Sequence, residues 1–346
     1  MRILLALAAI AAAFVPPAAA QPISAEQADR AIDATVRSQV IDGALAALQR
    51  AYVFPEVAAR MAEAVRAHRL AGAYANVSSA KELAKTLTGH LQEVSRDRHL
   101  RVLYSAEPLS ETRQRGPSPE QVARRVEFLR SVNFGFEKAE VLPGNVGYLE
   151  MRVFAAGPEA EAAADAAMSR LADADALIVD LRRNGGGDPA MVARVSSYLF
   201  EQPTHLNSLY WREGDRTEEF WTTTEVAGKR FGQGKPVFVL TSKRTFSGAE
   251  EFSYNLKALK RATLVGETTG GGAHPGGPQR IHEHFSVWVP SGRAINPVTK
   301  TNWEGTGVVP DVAVPADKAL ERALALAAKA VMRPLQGYST SRTPPK

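Results

Sequence analysis

The sequence predicts an α/β core preceded by a small helical bundle domain, and three observations carry that expectation. From Ser24 to Leu91 the chain is Ala-rich, with apolar residues at helical spacing in Ile41, Ala44, Leu45 and Leu48 and again in Leu83, Leu87 and Leu91. Such one-sided stripes belong to helices that pack together. Beyond about residue 119 short apolar runs bounded by turn residues alternate with helical stretches, the pattern of a sheet buried by helices. Between the two lies the polar, Pro-containing segment from Ser105 to Pro119, which reads as the boundary. The expected division is a signal peptide over 1–20, a helical domain over 21–115, an α/β core over 116–335 and a disordered tail over 336–346.

In chain order, the start is Met1-Arg2, an apolar run from Ile3 to Val15, and Pro16-Pro17-Ala18-Ala19-Ala20-Gln21. A basic start, an apolar stretch too short to span comfortably and an A-x-A site are the parts of a cleaved signal peptide. The expected product is periplasmic or secreted, cut near Ala20-Gln21, with no stable membrane span. After the helical stripes, Arg96-Asp97-Arg98-His99 breaks the pattern and leads into the strand-like Leu100–Tyr104. Strands are expected at 146–151, 176–181, 236–240 and 262–265, with helices at 159–172, 189–200 and 249–260 between them.

Composition removes several functions. With 45% hydrophobic residues the chain can bury a core, and with no cysteine it has no thiolate nucleophile, disulfide framework or zinc-thiolate site. The net charge of +5 comes from dispersed basic residues rather than a stripe, so no nucleic-acid partner is expected. No cofactor or metal is expected either. Gly185-x-Gly187-x-x-Ala190 nearly fits a dinucleotide fingerprint, but it begins well after its strand. His282 and His284 are expected two apart on one strand face, without a third ligand at suitable spacing.

Two loops carry chemistry. Asp180-Leu181-Arg182-Arg183-Asn184-Gly185-Gly186-Gly187-Asp188 runs from a buried strand to a helix, and its glycines let backbone N–H groups converge on an oxyanion. Strand 236–241 leads through Thr245-Phe246-Ser247-Gly248-Ala249-Glu250 into a helix. A serine there is either a helix cap or a nucleophile beside the helix's positive end. A third loop, the glycine-rich run from Gly266 to Gly277, follows the next strand.

The order D-L-R-x-N-G-G-G, T-x-S-x-x-T-F-S-G-A-E-E-F, R-A-x-L-V-G-E-T-T-G-G and N-W-E-G-x-G-V-x-P-D resembles the serine peptidase family of C-terminal processing (tail-specific) proteases, the tricorn core and interphotoreceptor retinoid-binding protein. The match spans about residues 90–315, and the segment ending at Asp97-Arg98-His99-Leu100 resembles the helical domain of the retinoid-binding-protein-like branch. The resemblance implies a crotonase/Clp-like β-α superhelical core, and the short interval from Tyr104 to Glu150 leaves no room for the PDZ domain of processing proteases. It also implies a protein or peptide substrate, Ser247 as nucleophile, and oxyanion donors from Gly248 and from the loop at Gly186 and Gly187. Processing proteases carry a lysine 25 residues after the serine; here that position is Gly272, and no lysine lies between Lys260 and Lys300. That leaves the tricorn-like arrangement, with His99 as base and Glu304 as orienter. His274 is the alternative base. Arg98 stands where tricorn has a serine before its histidine. The competing function is a non-catalytic binding protein for apolar ligands or peptides on the same fold.

Overall fold

The computed structural model describes residues 27–109 and 119–332. The expected signal peptide and tail lie outside those residues. Three helices come first: α1 (Ala34–Ala51), α2 (Pro55–Leu70) and α3 (Ala80–Ser95). Asp33 and Ser79 cap α1 and α3 by accepting backbone N–H groups of their first turns, and Pro55 occupies the first turn of α2. Strand β1 (Arg101–Tyr104) follows, and after the boundary come α4 (Pro119–Ser131), β2 (Phe136–Leu142) and β3 (Val146–Met151).

The core then alternates as expected through α5 (Pro158–Leu171), β4 (Ala176–Asp180) and α6 (Pro189–Ser197). The antiparallel ribbon β5 (His205–Trp211) and β6 (Arg216–Trp221) interrupts the alternation before β7 (Val237–Thr241), α7 (Gly248–Ala258) and β8 (Thr263–Gly266). Last come β9 (Gly276–His282), β10 (Phe285–Pro290), β11 (Gly292–Ile295), β12 (Val312–Ala313) and α8 (Ala319–Val331).

The main sheet has the order β12-β8-β7-β4-β3-β2 and is parallel except for the β2–β3 hairpin. Every residue of β3, β4 and β7 is buried, because α5, α6 and α7 cover one face while Ala319, Ala323 and Ala327 of α8 cover the other. Parallel strands end on one side, so the loops after β4, β7 and β8 gather there.

The helical segment does not close its own core. Leu48, Leu83, Leu87 and Leu91 pack against Phe285, Val287 and Val289 of β10, in the sheet β1-β10-β9. Residues after His274 therefore complete the N-terminal hydrophobic cluster. His282 and His284 are not on one strand face: His282 ends β9 and His284 sits in the turn before β10, because the chain reverses there to pair the two strands. The His284 ring contacts the Arg30 guanidinium and the Ser105 carbonyl. His68 and His90 stack between α2 and α3 with ring centroids 3.7 Å apart.

Candidate active site

The first glycine loop is pinned by its own motif. Arg182 forks onto the Asp180 carboxylate and reaches the Ala316 carbonyl, while the Asn184 side chain donates to the Met151 carbonyl and accepts from the Gly186 N–H at 2.8 Å. The Asn184 carbonyl accepts from Phe246 N–H at 3.1 Å. Thr245 and Ser242 hydroxyls donate to the Leu181 and Arg182 carbonyls. The two loops are thus one unit, and the polar residues of both motifs are the pins that join them.

Ser247 stands where that unit meets α7, with φ 54° and ψ −123°. A side-chain-bearing residue at positive φ is strained, and such strain persists where surrounding contacts over-determine it. Glu250 supplies those contacts. Fully buried, its carboxylate accepts from Ser247 N–H at 2.9 Å, Gly271 N–H at 2.6 Å, Gly272 N–H at 2.8 Å and the Thr269 hydroxyl. Burial nevertheless pushes its pKa up to about 7. Glu250 ties the serine to the third glycine loop. Its S-x-x-E spacing from Ser247 is a capping-box signature visible in the sequence.

Backbone donors converge beside the serine. A β-carbon on Gly186 would lie 2.7 Å from both the Gly248 nitrogen and the Ser247 β-carbon, and one on Gly248 would lie 2.9 Å from the Gly187 nitrogen. Only glycine permits that approach. Gly186 N–H is already spent on Asn184, so of the expected donors it is the one the local hydrogen bonds withdraw. Gly187 and Gly248 N–H groups have no acceptor among the described residues.

A cleft of about 450 Å³ opens over this point, and Ser247, Gly248, Gly187 and His99 all line it. His99 is buried, packs its ring against Phe246 with centroids 4.7 Å apart and leaves Nδ1 with no hydrogen-bond partner. Burial pushes its pKa down to about 4, against the pull of the Asp97 charge and with the help of Arg101 and His274. The ring is neutral at pH 7. Among the described residues no hydrogen bond joins Glu304 to this ring. One Glu304 oxygen accepts from Arg98 N–H at 3.0 Å and the other from Ala273 N–H at 2.5 Å, so the expected orienter grips the backbone on either side of the imidazole.

His274 is absent from the cleft lining and sits behind it. Its Nδ1 lies 2.8 Å from Asp97 Oδ2 and 3.5 Å from Glu304 Oε2. Asp97 also accepts from the Tyr52 hydroxyl at 3.1 Å and from His99 N–H at 3.0 Å. Burial opposes charge on His274, yet the Asp97 hydrogen bond and the charges of Asp97 and Glu304 hold its pKa above the usual value. Burial and the Asp97 charge push Glu304 upward. Asp97, His274 and Glu304 could together reach a metal ion, but the Asp97–His274 pairing already occupies the donor atoms with one another. Trp303 completes the layer by donating its indole N–H to the Gly272 carbonyl at 2.8 Å.

Comparisons with known proteins agree with this architecture. The model of peptidase family S41 matches residues 145–314, and that of the N-terminal domain of S41 peptidases in eukaryotic IRBP matches residues 31–143. Among solved structures, a candidate peptidase from Parabacteroides merdae is similar with a TM-score of 0.60 and 19% identity, over 84% of this chain and 96% of that one. The tricorn protease is similar at 0.52 and 15%, over 86% of this chain and 37% of its own. A lipoprotein from Streptococcus agalactiae is similar at 0.52 and 12%, over 85% and 96%. At these identities the likeness is one of fold.

Proposed function

This chain belongs to peptidase family S41, and from that premise we propose that it is an exported serine endopeptidase in which Ser247 attacks a peptide carbonyl. The observation that carries the reading is the meeting of a positive-φ serine, two unoccupied backbone N–H groups and a neutral histidine in one cleft. His99 takes the Ser247 proton as the C–O bond forms, and the Gly187 and Gly248 N–H groups receive the carbonyl oxygen as it becomes an oxyanion. Collapse passes that proton to the leaving amine and leaves an acyl-enzyme. Water, deprotonated by the same imidazole, then releases the acyl group.

Glu304 is a positioning residue in this reading. It holds the His99 segment through Arg98 N–H and the glycine loop through Ala273 N–H. Asp97 and His274 brace the same segment from behind. Gly272 leaves the space that the histidine occupies, since a β-carbon there would lie 2.7 Å from His99 Cε1. A lysine at that position and this imidazole exclude one another.

The unpartnered Nδ1 of His99 favours a second reading, a binding protein whose cleft takes apolar or peptide ligands between Leu209, Trp211, Trp288 and Val289. Digestion of unfolded casein separates the two. The wild-type protein is expected to cleave it and the S247A variant not to, with both folded. Equal cleavage by the two would overturn the assignment of Ser247, and no cleavage by either would favour the binding protein. Export predicts a mature protein beginning at Gln21, read by N-terminal sequencing of the periplasmic fraction.

A further inference from the structure

The floor of the cleft holds a carboxyl group that the reaction does not use. Glu251 lies on α7 one turn beyond Ser247, and residues four apart on a helix share a face. It lines the same cleft as the serine, is only 4% exposed, and its Oε1 has no hydrogen-bond partner. Asn207 on β5 is close enough to favour its charged form, yet the amide nitrogen and oxygen of Asn207 both stand outside hydrogen-bond geometry. Buried polar groups are nearly always satisfied, so an oxygen left without a well-formed hydrogen bond beside a nucleophile is a place where a bound group can supply one. The indole nitrogens of Trp211 and Trp288, which line the same cleft, are unpartnered too.

Charge identifies the partner. The chain carries +5 overall, but this cleft is acidic. The arginine lining it, Arg216, is 3.6 Å from Glu218 and sits over the Trp211 ring, and among the described residues no cation pairs with Glu213 or Glu251. Asp188 adds further negative charge near Glu251. Burial holds Glu251 largely protonated, with a pKa pushed up to about 8, and a cation arriving beside it would restore the carboxylate.

We propose that Glu251 determines the specificity of this cleft, selecting peptides with a lysine or arginine side chain on the residue whose carbonyl Ser247 attacks. This rests on the peptidase reading above. The long aliphatic stem of such a side chain suits the apolar walls at Leu209 and Trp211, and its cationic end meets Glu251. A leucine there leaves Glu251 protonated with its oxygen unmatched, whereas a lysine or arginine gains a charge-assisted hydrogen bond, so the cationic peptide should be preferred.

The test is the rate at which two peptidyl diphenyl phosphonates, alike except for lysine or leucine next to phosphorus, modify Ser247. The expected result is a lysine-to-leucine rate ratio of at least about tenfold in the wild-type protein, falling toward one in E251Q. Should E251Q not fold, E251D carries the test, because it sets the carboxylate back by one methylene and the ratio should fall there as well. A wild-type ratio of one or less, or a ratio unchanged in the folded variants, overturns the proposal while leaving the peptidase reading intact. No Ser247 labelling by either phosphonate or by a simple fluorophosphonate overturns both.

Discussion

Asp97 Oδ2 and His274 Nδ1 are 2.8 Å apart although 177 residues separate them in the chain. The contact joins the end of the helical segment to the third glycine loop, and His99 is two residues from one partner while Gly272 is two from the other. Asp97 also holds the His99 backbone and the Tyr52 hydroxyl. The histidine that lines the cleft with Ser247 is thus placed by groups outside the cleft lining.

Asp97→Ala leaves a buried histidine, a tyrosine hydroxyl and a backbone N–H without their acceptor. A loss of about 3–5 kcal/mol of stability is expected, measured by urea unfolding, together with lower turnover in whatever fraction stays folded. Unchanged stability would mean that these contacts do not hold the segment.

The pH dependence of turnover separates the two histidines. A buried His99 with pKa about 4 must be neutral to accept the serine proton, so its own titration should cost activity only through about pH 4, and a partial decline between 7 and 5 belongs to the Glu250 and Glu304 carboxylates, both pushed up to about 7. If His274 were the base, with its pKa raised, activity would be lost on acidification from above pH 6.5. Hydrolysis of a peptide at pH 5, with recovery checked after neutralisation, decides between them, because substantial turnover there excludes His274 as the base.

Burial raises Glu251 from the usual glutamate value of 4.5 to about 8. A carboxyl whose pKa is higher folded than unfolded contributes stability below the unfolded value, and that contribution is lost as pH rises through the folded one. The window here runs from about 4.5 to about 8. E251Q removes this dependence, so the melting temperature of the variant relative to wild type should be higher at pH 9 than at pH 5. Thermal melts at the two pH values check it. Some slope will persist, because Glu250 is raised to about 7 for the same reason.

Gly272→Ala should reduce turnover at least tenfold by displacing the imidazole, with a smaller effect on folding. The added carbon would lie 2.3 Å from Phe246 Cζ and 2.7 Å from His99 Cε1, both side-chain atoms that can yield. Hydrolysis rates alongside melting curves measure the split. Full activity in the variant would show that His99 need not stay where it is.

The buried parallel strands were legible because each is a short apolar run, as Ala176-Leu177-Ile178-Val179 shows. The antiparallel ribbons were not. Strand β6 reads Arg-Thr-Glu-Glu-Phe-Trp and is mostly exposed, and β9 begins Gly-Gly-Pro-Gln-Arg, so neither shows the alternation that marks a half-buried strand. The turn at Glu283-His284 was hidden for the same reason. In the site, Ser247, the glycine loops and Glu304 stand in ordered motifs, whereas the pairing of Asp97 with His274 leaves no local pattern. Glu251 reads as one more acidic residue on a helix until the fold buries it beneath the cleft.

The central claim is that Ser247 and His99 act together, and intact-protein mass spectrometry after reaction with a fluorophosphonate tests it most directly. One adduct is expected on the Ser247 peptide in the wild-type protein, none in S247A, a severe loss of labelling rate in H99A and a milder loss in H274A. An adduct retained in S247A, or labelling abolished in H274A but preserved in H99A, would contradict it.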